Sequence, residues 1–254
     1  MGKIIQITIV LLFLSMGFLQ AQPKGTLNYK VTIKNQFGDN EVNYIIYFNG
    51  RKSIELGVPT KQFSTTEKIS ETEIHENRVI KSKKQSFIYK DLRSKKLILG
   101  ESIMFKEFLI SDTLNNFKWT IMSEHKKILN YTCTKATVNF RGRKYTAWFA
   151  EDIPLQFGPW KFGGLPGLIV KVNDYEGKFD YELTGINLKA KFDDKIIQIP
   201  SEYIKDQFIS HQHFIQILNK KIADYAKMSK VVHTSKDGSY GSVTIILPEK
   251  QEKF

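Results

Sequence analysis

Leu27-Asn28-Tyr29-Lys30-Val31-Thr32-Ile33 sets the period of this chain: apolar side chains alternate with polar ones, the pattern of a half-buried strand. Val42, Tyr44, Ile46 and Phe48 repeat it, and Asn49-Gly50 supplies a strong hairpin signal leading into residues 53–56. Residues 59–73 read as a polar loop, followed by strands at 74–81, 86–91 and 95–99, with Leu92-Arg93-Ser94 turning between the last two. A hairpin is expected from 117–123 and 128–140 around Glu124-His125-Lys126. Arg141-Gly142-Arg143 turns the chain into 144–150, and 168–173 pairs with 179–187 through Asp174-Tyr175-Glu176-Gly177. A last strand is expected at 243–247. Short strands at this density imply an antiparallel sheet.

One segment departs from this period. Ile204, Phe208, Ile215, Leu218, Ile222 and Tyr225 are spaced for one face of a helix, and Pro200-Ser201-Glu202 offers a serine cap with an acid in the first turn. The expectation is a helix over about 202–228, broken near Ser210. The fold class is therefore mainly β: a curved, partly barrel-like antiparallel sheet with one C-terminal amphipathic helix packed on it.

Phe162-Gly163-Gly164-Leu165-Pro166-Gly167-Leu168-Ile169 places three glycines and a proline inside an apolar run. Pro166-Gly167 fits the centre of a type II turn, which predicts a positive φ at Gly167. Leu165 is expected to face outward from that turn, and Leu168 or Ile169 inward.

Lys3, the apolar run from Ile4 to Leu14 and the small-residue site at Leu19-Gln20-Ala21 form the pattern of a secretory signal peptide, cut before Gln22. The run is short for a membrane span, which takes roughly 20 apolar residues. No later segment is long and apolar enough to span, and no cysteine stands at the cut for a lipid anchor. The expected product is a single β-rich domain over 22–254, periplasmic or secreted, with formal charge lowered from +12 to +11 by the loss of one lysine. Nothing in it matches a nucleic-acid-binding motif. Cys133 is the single cysteine, which excludes an internal disulfide and favours a packed small hydrophobe over a reactive thiol.

Several segments resemble, in order and spacing, the GLPGLI family of exported proteins of Gram-negative bacteria. They are Trp119-Thr120-Ile121 with Glu124, residues 131–136, Phe140-Arg141-Gly142-Arg143, Ala147-Trp148-Phe149, Ile153-Pro154, residues 158–162 and the run 164–169. The resemblance spans roughly residues 85–190. It implies an envelope or secreted location and no known cofactor, and it carries over no catalytic residue, since that family has no established activity.

Candidate chemistry is sparse. Glu151-Asp152 and Asp193-Asp194 are adjacent acids that point to opposite faces of an extended chain, so they read as solvated turn carboxylates. His211 and His213 are too close in sequence to share a helix face, and His211 reads as a core histidine. A thiol–imidazole pair of Cys133 with His125 or His211 has no support in spacing. Lys81, Lys83, Lys84, Lys90, Arg93, Lys95 and Lys96 read as edge-strand lysines. Apolar area, unusual backbone and charge converge only around the glycine-rich loop, which makes Trp148, Trp160, Phe162, Gly164, Leu165, Pro166 and Gly167 the candidate ligand or partner contacts. The reading is an exported, non-enzymatic binding or accessory protein. Its partner is an envelope protein or an apolar or glycan ligand; no metal, cofactor or nucleic acid is expected. The alternatives are an exported hydrolase of glycans or peptides, and a carrier of lipid or acylated cargo.

Overall fold

The computed structural model describes residues 22–35, 38–58, 66–68, 74–76, 84–103, 106–114, 117–228, 232–234, 240–242 and 251–253. The expected signal peptide and the strand expected at 243–247 lie outside them, as do 59–65, 69–73 and 77–83. In chain order the strands are β1 (Lys24–Asn35), β2 (Gly38–Asn49), β3 (Lys52–Gly57), β4 (Thr66–Lys68), β5 (Ile74–Glu76), β6 (Phe87–Asp91), β7 (Lys96–Ile103) and β8 (Lys106–Thr113). They continue as β9 (Thr120–Ile128), β10 (Tyr131–Phe140), β11 (Arg143–Ala150), β12 (Leu168–Asp174), β13 (Phe179–Asn187), β14 (Phe208–Ser210), β15 (Val232–Thr234) and β16 (Tyr240–Ser242). The helix α1 spans His211–Met228.

Twelve strands form one sheet in the order β14-β8-β7-β6-β3-β2-β1-β13-β12-β11-β10-β9. The sheet is curved and does not close into a barrel. All its pairings are antiparallel except β14 against β8. Two short hairpins, β4-β5 and β15-β16, stand apart from it.

Alternation assigns the faces. Tyr44, Ile46 and Phe48 pair with Gly57, Glu55 and Ser53, and Ser53 with Lys90, so all of these point to the interior of the curve. Val31, Tyr145, Ala147, Phe149, Val172, Phe179 and Tyr181 join them there. The opposite face of β3, β6, β7 and β8 carries Ile54, Phe87, Ile98 and Leu109, which pack under Ile197 and Tyr203 of the segment after β13. The Phe87 and Tyr203 rings meet edge-on at 5.1 Å.

Three expectations need correcting. The chain turns at Leu129-Asn130, with Leu129 at φ 54°, and not at 124–126. Strand β9 is an edge strand with almost every residue exposed, so its polar sequence mimics a turn. Strand β8 carries Phe108-Leu109-Ile110, buried on both faces, and so lacks the alternation that marked the other strands. The helix begins at His211, not at 202. Residues 201–203 form a single 3-10 turn without a side-chain cap, and 208–210 pair with β8. Ile204 and Phe208 are 74% and 50% exposed, so neither belongs to a buried helical stripe. The working cap is Ser210, whose Oγ accepts the His213 N–H at 3.1 Å. From there Phe214 leads α1 onto Leu97, Leu99, Phe108 and Ile110.

Ser210→Ala should therefore lower stability by about 1 kcal/mol, the usual value of an N-cap. Ser201→Ala should be within about 0.5 kcal/mol of wild type, as for an ordinary surface change. Urea unfolding of the two variants checks the assignment.

Candidate functional site

Between Ala150 and Leu168 the chain leaves the sheet, crosses its interior and returns. It is tied at each stage. Leu168 N donates to Ile153 O at 2.9 Å, and Gly164 N donates to Gln156 O at 3.2 Å. The Trp119 indole N–H donates to Gly163 O at 2.9 Å. Further on, the buried Lys90 ammonium donates to Gly158 O at 2.7 Å and to Phe162 O at 3.2 Å. The Trp160 N–H donates to Glu55 Oε2 at 2.8 Å, which holds Trp160 at φ 50°. Lys90 was expected on an exposed edge; it is 2% exposed on an inner strand. Burial pushes its pKa down, to about 8, against the charge of Glu55; burial also raises Glu55, which Lys90 and the Trp160 amide oppose.

The motif is a core element. Trp160, Phe162 and Leu165 are 4%, 1% and 1% exposed, and Phe162 meets Tyr145, Trp160 and Tyr181 at ring distances of 4.8, 5.1 and 5.9 Å. Leu165 therefore points inward, against expectation. Gly164 and Pro166 are exposed. Trp148 lies on the other face of the sheet from Phe149, with the Lys126 ammonium 4.0 Å above its ring. The seven candidate residues thus form no single surface.

The turn assignment is also corrected. Positive φ falls at Gly164, at 81°, not at Gly167. Gly167 is required for a different reason: a Cβ there would stand 2.2 Å from Ala150 O and 2.9 Å from Glu151 Cα. The two ends of the loop touch backbone to backbone, and only glycine permits the contact.

The candidate catalytic groups do not converge. Cys133 is buried and faces away from Ala136 and Val138 on its strand; burial, the leading effect, raises its pKa. Thr134 Oγ1 donates to Glu151 Oε1 at 3.0 Å and lies 3.1 Å from His125 Nδ1. Asp193 caps the Lys195 N–H, and Asp194 pairs with Lys24 at 2.7 Å. No metal-binding group of three occurs among the described residues.

Two features were not foreseen. At the end of the sheet where the loop departs, Pro23, Lys24, Arg51, Leu92, Ile153, Leu155, Phe157 and Leu188 line a half-open groove of about 520 Å³. No acid is among its described lining residues. Inside the curve, Tyr44, Glu55, Glu101, Trp160, Tyr181 and Gln251 line a smaller cavity of about 250 Å³.

Beside that cavity stands an ion cage. Arg141, from the β10–β11 turn, grips Asp112 of β8 through two nitrogens at 2.8 and 2.9 Å. Arg141, Lys161 and His211 hold the carboxylate of Glu252 at 2.6, 2.7 and 2.7 Å. Lys161 also reaches Asp112 at 3.1 Å. Burial raises Asp112 and Glu252, but the bonds and charges of these cations outweigh it and leave both near 2. The sequence hid this cage well. Asp112 sits on the unrecognised strand, Arg141 reads as a turn residue, and Glu252 belongs to a charged tail that looks solvated.

A family model described as a protein of unknown function, Porph_ging, matches residues 139–171, which hold β11, the interior loop and Arg141. That description, and not the GLPGLI name, is what the match supports. No curated protein matches the chain. Among solved structures, PNGF-II is similar in fold with a TM-score of 0.51 at 15% identity. The similarity covers 78% of this chain and 33% of that one, so this chain spans about a third of PNGF-II. A LolA-superfamily protein from Nitrosomonas europaea gives a TM-score of 0.33 at 9% identity, covering 72% of this chain and 92% of that one. A DUF1329-family protein from Desulfovibrio piger gives 0.35 at 6%, covering 70% and 91%.

Gly167→Ala should cost about 2–4 kcal/mol, because backbone must move to admit the methyl group. Gly164→Ala has open space around it and should cost only about 1–2 kcal/mol for its left-handed backbone. Denaturant titrations compare the two directly. For the cage, the pKa of Glu252 lies below its unfolded value, so its contribution is complete above about pH 4.5 and is lost as pH falls towards 2. Glu252→Gln should remove that part of the acid limb in a plot of stability against pH, leaving the two proteins closest near pH 2.

Proposed function

We propose that this is an exported, non-enzymatic binding protein that takes a small amphipathic molecule in the groove at the open end of the sheet. The observation that carries the reading is the lining: mostly aliphatic and aromatic side chains over a volume of about 520 Å³, with Gln22, Gln156, Lys24 and Arg51 as its polar members and no acid among the described lining residues. That volume falls within the usual range for small-molecule sites. An apolar body would lie on Ile153, Leu155, Phe157 and Leu188, and an acidic group would face Arg51, since Lys24 is paired with Asp194. The motif does not touch the ligand; it fixes the strip 153–157 that does. This joins the binding and carrier readings. The hydrolase reading loses its support, because Glu151 is engaged by Thr134 and neither Glu151 nor Asp152 lines the groove. No described helix is long and apolar enough to cross a membrane.

Export predicts that protein recovered outside the cytoplasm begins at Gln22, which mass spectrometry reads. Binding is measured with 1-anilinonaphthalene-8-sulfonate, an apolar anion of the right chemistry, on folded protein at neutral pH. Saturable fluorescence is expected. Leu188 is 54% exposed, so Leu188→Asp should leave the melting temperature unchanged. It should weaken the dye by about tenfold, roughly 1.4 kcal/mol. Arg51→Glu should act in the same direction. Dye binding that ignores both substitutions would sink the proposal.

A further inference from the structure

The cage of Arg141, Lys161 and His211 is built around a carboxylate that does not come from its own walls. Its three basic side chains arrive from a strand turn, the interior loop and the first residue of α1. Among the described residues Asp112 bonds to them directly, the Glu101 carboxyl of β7 lies within electrostatic reach with its pKa raised by burial, and the Lys161 side chain is 3% exposed. With burial favouring the neutral form of Glu101, two cations and a histidine bond directly to one wall acid, and a second bonded carboxylate completes the cage. Glu252 supplies it, from the far end of the chain.

The remaining described contacts of that tail are polar. Tyr145 Oη donates to Gln251 O at 2.5 Å, Gln251 Nε2 donates to Tyr181 Oη at 2.5 Å, and Lys253 N donates to Arg141 O at 2.9 Å. Lys253 also pairs with Glu176. Gln251 forms part of the wall of the 250 Å³ cavity, whose other walls carry the hydroxyls of Tyr44, Tyr181, Ser86 and Ser102 and the carboxyls of Glu55 and Glu101 beside the Trp160 ring; burial raises the pKa of both carboxyls. When the tail leaves, the cage and the cavity become one chamber: an oxyanion seat at one end and hydroxyl partners at the other.

We propose that the cage is a binding site for a carboxylate or phosphate carried on a small hydroxylated molecule, and that Glu252 is a tethered occupant that such a ligand displaces. The site is separate from the groove, which is apolar and lies at the other end of β11.

The test uses the full chain with Glu252→Ala, which empties the seat. This variant should melt below wild type. Glucuronate and glucose 6-phosphate should restore the melting temperature saturably, and at concentrations at least about tenfold lower than acetate or inorganic phosphate need. Glucose, or sodium chloride at matched ionic strength, should not. Adding Lys161→Met should abolish the rescue. No rescue, or equal rescue by glucose or chloride, overturns the proposal; equal rescue by inorganic phosphate and glucose 6-phosphate overturns the part assigned to the cavity. Wild type gives a second measurement that does not depend on the variant folding. A ligand that takes the seat must free the tail, so amide exchange at residues 251–253 must rise with glucuronate, and exchange that stays constant at saturating ligand rejects the displacement.

Discussion

A polypeptide that crosses an apolar interior must find partners for its peptide groups, and here the partners are two buried charges. Lys90 and Glu55 stand on the neighbouring strands β6 and β3, both facing inward. Lys90 takes the carbonyls of Gly158 and Phe162, and Glu55 takes the Trp160 amide. Each charge alone would be costly to bury, because the low dielectric penalises an uncompensated ion. Together, and saturated by backbone, they let the loop lie across the sheet. Trp160, Phe162 and Leu165 can then fill the curve with a single aromatic knot that reaches Phe140, Tyr145 and Tyr181. Without the pair, three backbone groups of the loop would lose their partners inside the core.

The glycines serve the same constraint by letting backbone meet backbone. Gly167 closes the loop against Ala150, and at Gly158 a Cβ would stand 3.2 Å from Phe162 O and 2.8 Å from the side-chain Cδ1 of Ile169. A motif of this composition looks like a ligand-binding turn because glycine-rich loops often let backbone approach a ligand. In this chain the backbone approaches its own strand. That is why Leu165 is inside although glycines flank it.

Most of the sheet was legible because its strands bury one face and expose the other, so alternation survives in β1, β2, β11 and β13. It failed where burial was symmetric. Strand β8 is covered on both faces and reads as a short apolar block, whereas β9 is exposed throughout and reads as a turn. Helical spacing at Ile204 and Phe208 was a coincidence of two exposed residues, and the true start at Ser210-His211 carried a cap that the apolar pattern obscured. The sites were less legible than the fold. Lys90, Asp112, Arg141 and Glu252 are charged residues whose partners lie far away in sequence, 111 positions in the case of Arg141 and Glu252. No local pattern marks a charge as buried. Topology decides it, when distant strands bring an acid and a base to the same interior.

The interior loop also joins the groove to the ion cage. At its start, the buried Ile153, Leu155 and Phe157 form the groove wall, with Ile153 O and Phe157 O accepting from Leu168 N and Ile169 N and Leu155 N donating to Ile153 O. At its far side, Lys161 leaves the aromatic knot and reaches the cage, with its ammonium 5.4 Å from the Trp160 ring. The segment between them is clamped by Lys90 and Glu55, so neither end can shift without disturbing that pair. A groove wall and a cage cation are therefore held by one buried electrostatic fixture. The interior acids Glu55, Asp112 and Glu252 each have inward-facing cations beside them, while Arg51 lines the groove next to Lys24, which pairs with Asp194. Apolar packing gives the loop its shape, and the buried charges fix its position across the sheet.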